Sequence, residues 1–105
     1  MMTIQINTDN NLAVHETYHV QLKEVLSGEL SRFEEHITRL EMHLSDENGN
    51  KDTKDDKRCM IEARLKGRQP IAVTNVANTY DQAVNGAIDK LKTALDTILG
   101  RLKNH

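Results

Sequence analysis

Aromatic residues are scarce in this chain: there is no tryptophan, one phenylalanine and two tyrosines in 105 residues. Phe33, Tyr18 and Tyr80 all fall on apolar stripes. No aromatic platform is left on which nucleobases could stack. A single cysteine, Cys59, excludes an internal disulfide and points to a reducing, cytoplasmic setting. No apolar run approaches the ~20 residues a membrane span needs. The first residues, Met1-Met-Thr-Ile-Gln-Ile-Asn7, carry neither the basic nor the apolar region of a signal peptide. The five glycines are scattered, so no glycine-rich phosphate loop is present. An excess of positive charge is missing too. Fourteen basic residues face 16 acidic ones, for a net charge of -2. A nucleic-acid reading therefore has to rest on local charge alone.

At this length a single domain spanning 1–105 is expected, able to bury about two-thirds of its unfolded surface without staples. Thr3 to Asn7 alternates, with Ile4 and Ile6 on one face, and reads as a strand; Thr8-Asp-Asn-Asn11 reads as a turn. From His15 to His36, Tyr18, Leu22, Val25, Leu26, Leu30 and Phe33 recur at three- and four-residue steps, which predicts an amphipathic helix weakened at Gly28, the place for a kink or a bulge. Ile37 to Ser45 changes to period two, with Leu40, Met42 and Leu44 inward and Arg39, Glu41 and His43 outward. Asp46 to Lys57 is polar and reads as a long loop. Arg58 to Lys66 alternates again, placing Cys59, Ile61, Ala63 and Leu65 inward. Gly67-Arg-Gln-Pro70 turns the chain into a fourth strand, Ile71 to Val76, with Pro70 where a missing N–H costs least. Asn78 or Thr79 caps a last helix, and Thr79 with Gln82 fits a capping box. Its apolar stripe runs from Tyr80 through Leu91, Leu95 and Leu99 to about Lys103, and Ala83, Gly86 and Ala87 allow a close approach. The order β-α-β-β-β-α predicts an α+β two-layer sandwich: a four-stranded sheet with both helices on one face.

Three constellations suggest chemistry. His15-Glu-Thr-Tyr-His19 matches H-E-x-x-H, in which two histidines one turn apart bind zinc and the glutamate acts as base. Leu22 and Val25 stand where the longer metzincin form needs Gly and His, and so small a domain offers little substrate cleft. Two surface histidines around an acidic first turn is the better reading, and a small zinc hydrolase using His15, Glu16 and His19 is the remote alternative. Cys59 sits on an apolar strand face and reads as an inert thiol. Local charge is the third. Arg58, Arg64, Lys66 and Arg68 face one acid, Glu62, and the last helix adds Lys90, Lys92, Arg101 and Lys103. The first helix is acidic by contrast. A basic strand-turn with a basic helix end could hold RNA phosphates in a salt-sensitive way, though the dipole alone favours cations near a helix C-terminus.

The helix exit Phe33 to Ile37 into Leu40-Glu-Met-His-Leu44, the strand-turn Cys59-Met-Ile-Glu-Ala-Arg-Leu-Lys-Gly67, and the helix Tyr80 to Leu91 with Ala83, Gly86 and Ile88-Asp-Lys-Leu91 resemble the ribosome hibernation-promoting factors and ribosome-associated inhibitors. The resemblance covers nearly the whole chain. It implies a non-enzymatic translation regulator, without cofactor, membrane or small-molecule substrate. Its partner would be the small ribosomal subunit, meaning 16S rRNA and neighbouring ribosomal proteins, reached in the decoding channel under stress or in stationary phase. The chain ends just after the second helix, so it would be a short form. By this resemblance the second helix contacts ribosomal RNA. Lys90 matches the Asp-Lys-Leu motif and Arg101 and Lys103 match the basic tail, with Lys92 beside them; Arg64, Lys66 and Arg68 are secondary phosphate contacts. Thr93, Thr97, Ile98 and Leu99 stand where basic or polar residues are common in the family, so Ile98 and Leu99 either extend the core or serve a protein interface. The corresponding alternative is a protein-interaction module of the same fold that has lost ribosome binding.

Overall fold

The computed structural model describes residues 2–8, 16–46 and 57–103, with side chains given over 18–46 and 57–100 in the last two stretches. The elements follow in the order β1 (Thr3–Thr8), α1 (Glu16–Glu29), a 3-10 turn (Ser31–Phe33), β2 (Ile37–Asp46), β3 (Lys57–Leu65), β4 (Ile71–Ala77) and α2 (Tyr80–Lys103). The expected architecture is present: a four-stranded sheet in the order β1-β2-β3-β4 with helices on one face. Most of the turn predicted over 8–11 and of the loop predicted over 46–57 lies outside the described residues. At the loop's ends Lys57 Nζ meets Asp46 Oδ2 at 3.1 Å, clamping the close of β2 to the start of β3.

Connection length sets strand direction. The crossover through α1 returns the chain to the end where it started, so β1 and β2 pair parallel, Ile4 opposite Leu40 and Ile6 opposite Met42. The tight turn after β3 makes β3 and β4 antiparallel, Ile61 opposite Val73, and β2 and β3 are antiparallel with Met42 opposite Ile61. Gly67 takes φ +67° in that turn, the left-handed region glycine reaches without penalty.

The core lies between sheet and helices. Leu40, Met42, Leu44, Cys59, Ile61 and Ala63 from the sheet meet Leu26 and Leu30 from the first helical segment and Ala87, Leu91 and Leu95 from α2, all essentially inaccessible to water. Leu99 is buried and Ile98 packs against the core, so both extend it. α2 lies over β3 and β4 and α1 over β1.

Two expectations need correction. The first helix does not continue to His36. It ends at Glu29; Leu30 and Phe33 reach the core through the 3-10 turn, whose tighter winding keeps three-residue spacing on one face. Gly28 does not kink the helix but stands one residue before its end. β2 also begins with an irregularity: Ile37 pairs Leu65 and Arg39 pairs Arg64, leaving Thr38 unmatched, its hydroxyl on the Arg64 carbonyl at 3.2 Å. That bulge lets Ile37 and Leu40, three apart, both point inward.

Candidate nucleic-acid interface

Apolar periodicity decides where the cations of α2 point. With Ala87, Ile88, Leu91 and Leu95 against the sheet, Lys90 and Lys92 emerge on opposite flanks, because two residues on a helix are about 200° apart. Lys90 Nζ donates to the Thr74 carbonyl of the edge strand β4 at 2.8 Å. Lys92 Nζ meets Glu29 Oε2, at the end of α1, at 3.2 Å. The structure therefore does not gather these two into one patch, and each already carries a contact inside the domain. Arg101 and Lys103 belong to the last turn of α2, and their side chains lie outside the described residues.

Arg64 lies on the opposite side of the molecule, on the uncovered sheet face. There it faces Glu62 at 3.5 Å and Glu41 at 3.9 Å, with Arg39 beside Glu41 at 3.6 Å. Arg39 also donates to Gln5 Oε1, and Gln5 Nε2 donates to Asn7 Oδ1 at 3.0 Å. This face is a compensated polar network rather than a cationic surface.

Lys66 and Arg68 flank Gly67 in the exposed turn after β3, and neither makes an ion pair or side-chain hydrogen bond to a described residue. The Lys66 N–H donates to the His36 carbonyl at 3.0 Å, tying this turn to the segment before β2. Arg32 in turn reaches Asp96 near the end of α2 at 2.9 Å. The turn after β3, the 3-10 segment and the end of α2 thus meet at one end of the molecule. Of the seven cations singled out by the sequence, Lys66 and Arg68 are the pair this end displays openly, and Arg101 and Lys103 are carried by the helix that terminates there. Sequence reasoning missed Arg32 and His36. No local signal reveals them, since Arg32 and Asp96 are 64 residues apart.

Polar links cross the gap between the helices. Tyr18 donates its hydroxyl proton to Asp81 Oδ1 at 3.0 Å, alongside the Lys92–Glu29 and Arg32–Asp96 pairs. Burial first, then this hydrogen bond and the Asp81 charge, push the Tyr18 phenol up to about 12. Burial alone pushes the Cys59 thiol up to about 12, which keeps it protonated and unreactive at neutral pH.

For the zinc motif, His15 and the Glu16 side chain lie outside the described residues. His19 Nε2 is buried without a hydrogen-bond partner. Among the described residues no three His, Cys, Asp or Glu side chains converge on a common point. No described helix is long and apolar enough to cross a membrane.

A family model described as sigma 54 modulation protein / S30EA ribosomal protein matches residues 5–103. Among solved structures, the N-terminal domain of Thermus thermophilus Protein Y is similar at a TM-score of 0.71 and 18% identity, covering 93% of this chain and 99% of that one. A ribosomal subunit interface protein from Coxiella burnetii is similar at a TM-score of 0.72 and 16% identity, covering 94% and 99%. At these identities the likeness establishes the shared fold. No curated protein matches the chain.

Proposed function

The chain belongs to the sigma 54 modulation protein / S30EA ribosomal protein family, and on that footing we propose that it is a ribosome-associated hibernation factor that binds the small ribosomal subunit. The observation that carries this reading is the family match over 5–103, nearly the whole described domain. In the proposal the protein is cytoplasmic and non-catalytic. It occupies the decoding channel, overlaps the positions of mRNA and tRNA, and silences ribosomes under starvation or in stationary phase. The phosphate contacts come from Lys90, Lys92, Arg101 and Lys103 on α2 and from Lys66 and Arg68 at the end turn, with Arg64 the weakest contributor because Glu41 and Glu62 stand beside it.

Cosedimentation with purified small subunits tests this. Wild type pellets at physiological salt; replacing Lys90, Lys92, Arg101 and Lys103 together with Glu abolishes pelleting. Unchanged pelleting of that variant removes the helix assignment, and failure of wild type to pellet removes the function.

A second reading has one observation in its favour: Lys90, Lys92 and Arg64 are already engaged within the domain. Under it the fold persists as a protein-interaction module that no longer binds ribosomes. Pelleting confined to very low salt supports this module, because few free cations release few counterions.

A further inference from the structure

The end of the molecule where the 3-10 turn meets the close of α2 contains a cleft of about 250 Å³, lined by Arg32, Phe33, His36, Asp96, Leu99 and Gly100. This is smaller than the roughly 300–1,000 Å³ of sites that take drug-sized molecules, and suits a single flat ring system. Arg32 is held from two directions. Its guanidinium lies 4.4 Å from the Phe33 ring centroid, and its Nη2 is 2.9 Å from Asp96 Oδ2. Phe33 itself is buried, so its ring cannot receive a base. The Arg32 side chain remains more than half exposed, which leaves the side of the guanidinium turned away from Phe33 open to a planar ligand. A guanidinium plane is a stacking surface for unpaired bases, and one fixed beforehand loses little freedom on binding.

The remaining groups complement the edge of a base. Asp96 accepts from ring or exocyclic N–H groups. The half-buried His36 imidazole makes no hydrogen bond to a described residue and can donate or accept. Its backbone carbonyl accepts from the Lys66 N–H, so the exposed turn that carries Lys66 and Arg68 adjoins a residue of the cleft, although neither cation lines it. We propose that this cleft takes one unpaired base of an RNA strand, stacked on Arg32, while Lys66 and Arg68 hold its phosphate. The proposal rests on the ribosome-binding reading and specifies how it engages single-stranded RNA.

Titration of the full-length protein with adenosine 5′-monophosphate, followed by NMR, tests the site. The expected result is saturable shifts at the Arg32 side chain, the His36 ring and the Gly100 amide. Ribose 5-phosphate should move only Lys66 and Arg68. Arg32→Lys keeps the charge but lacks the plane, and should weaken the nucleotide about tenfold. Equal shifts from the ribose phosphate, or equal binding by Arg32→Lys, overturn the base site. Cosedimentation of the wild type separates the two ideas. If it pellets with small subunits and Arg32→Lys is indistinguishable for the nucleotide, only the cleft assignment falls. If the nucleotide enters the cleft but wild type does not pellet, the cleft stands and the ribosome reading falls.

Discussion

Asn75 occupies an inward position on β4, in register with Cys59, where an apolar residue would be the simple choice. Its Nδ2 donates to the Gln82 and Ala83 carbonyls of α2, each at 3.3 Å. Gly86 makes this possible, since a Cβ there would lie 2.6 Å from Asn75 Cγ. Gly86→Ala should therefore destabilise by roughly 1–3 kcal/mol despite the better helix propensity of alanine. The double variant Asn75→Ala, Gly86→Ala should recover most of that loss, because the clash disappears with the amide. Urea unfolding of the three variants checks this, and simple additivity would exclude the contact as the cause. Alkaline titration reads two other residues. Both Cys59 and Tyr18 bind their protons more tightly folded than unfolded, from ordinary values of 9.0 and 10.0 up to about 12. Their contribution is complete below pH 9 and is lost as pH rises toward 12, because the unfolded chain then releases protons the native state retains. The unfolding midpoint should fall from about pH 9, and in Cys59→Ala the fall should begin nearer pH 10.

Among the elements, α1 and α2 end under different controls. α2 opens with Thr79 Oγ1 accepting the Gln82 N–H at 3.1 Å, as the Thr-x-x-Gln spacing indicates. Thr79→Ala should lower stability by about 1 kcal/mol. α1 closes at Glu29 beside Gly28, whose Cβ position meets nothing within 4 Å and whose φ is not in the left-handed region. Gly28→Ala should accordingly stabilise, by roughly 0.5–1 kcal/mol, which in a domain this size raises the melting temperature by a few degrees. A thermal melt decides it; a lowered midpoint would show that Gly28 serves packing rather than chain freedom. The strands were legible as elements because alternation survives in each. The 3-10 break and the Thr38 bulge were not, because both preserve apolar three-residue spacing and look, in one dimension, like more helix or an unbroken strand.

Across the whole molecule, charge is the deciding quantity. With net charge -2 there is no global pull on RNA, so the proposed RNA contacts have to rest on local cations such as Lys66 and Arg68 in the exposed turn after β3. Lys66→Glu with Arg68→Glu touches no described ion pair and should leave thermal stability within about 0.5 kcal/mol of wild type. It should nevertheless weaken cosedimentation and flatten its salt dependence by about 1–2 units of log–log slope. An unchanged slope would place the RNA contacts elsewhere on the surface.

Period-two and 3.6-residue patterns, a capping box and turn glycines were enough to determine the element order and the inward faces, because each is a local consequence of backbone geometry. Which cations remain free was decided only in three dimensions. Lys92 meets Glu29 across 63 residues, Arg32 meets Asp96 across 64, and Arg64 is flanked by carboxylates from its own and the neighbouring strand. Coulomb energy depends on distance through space, and the chain's order says nothing of that distance until the sheet and helices have closed on one another.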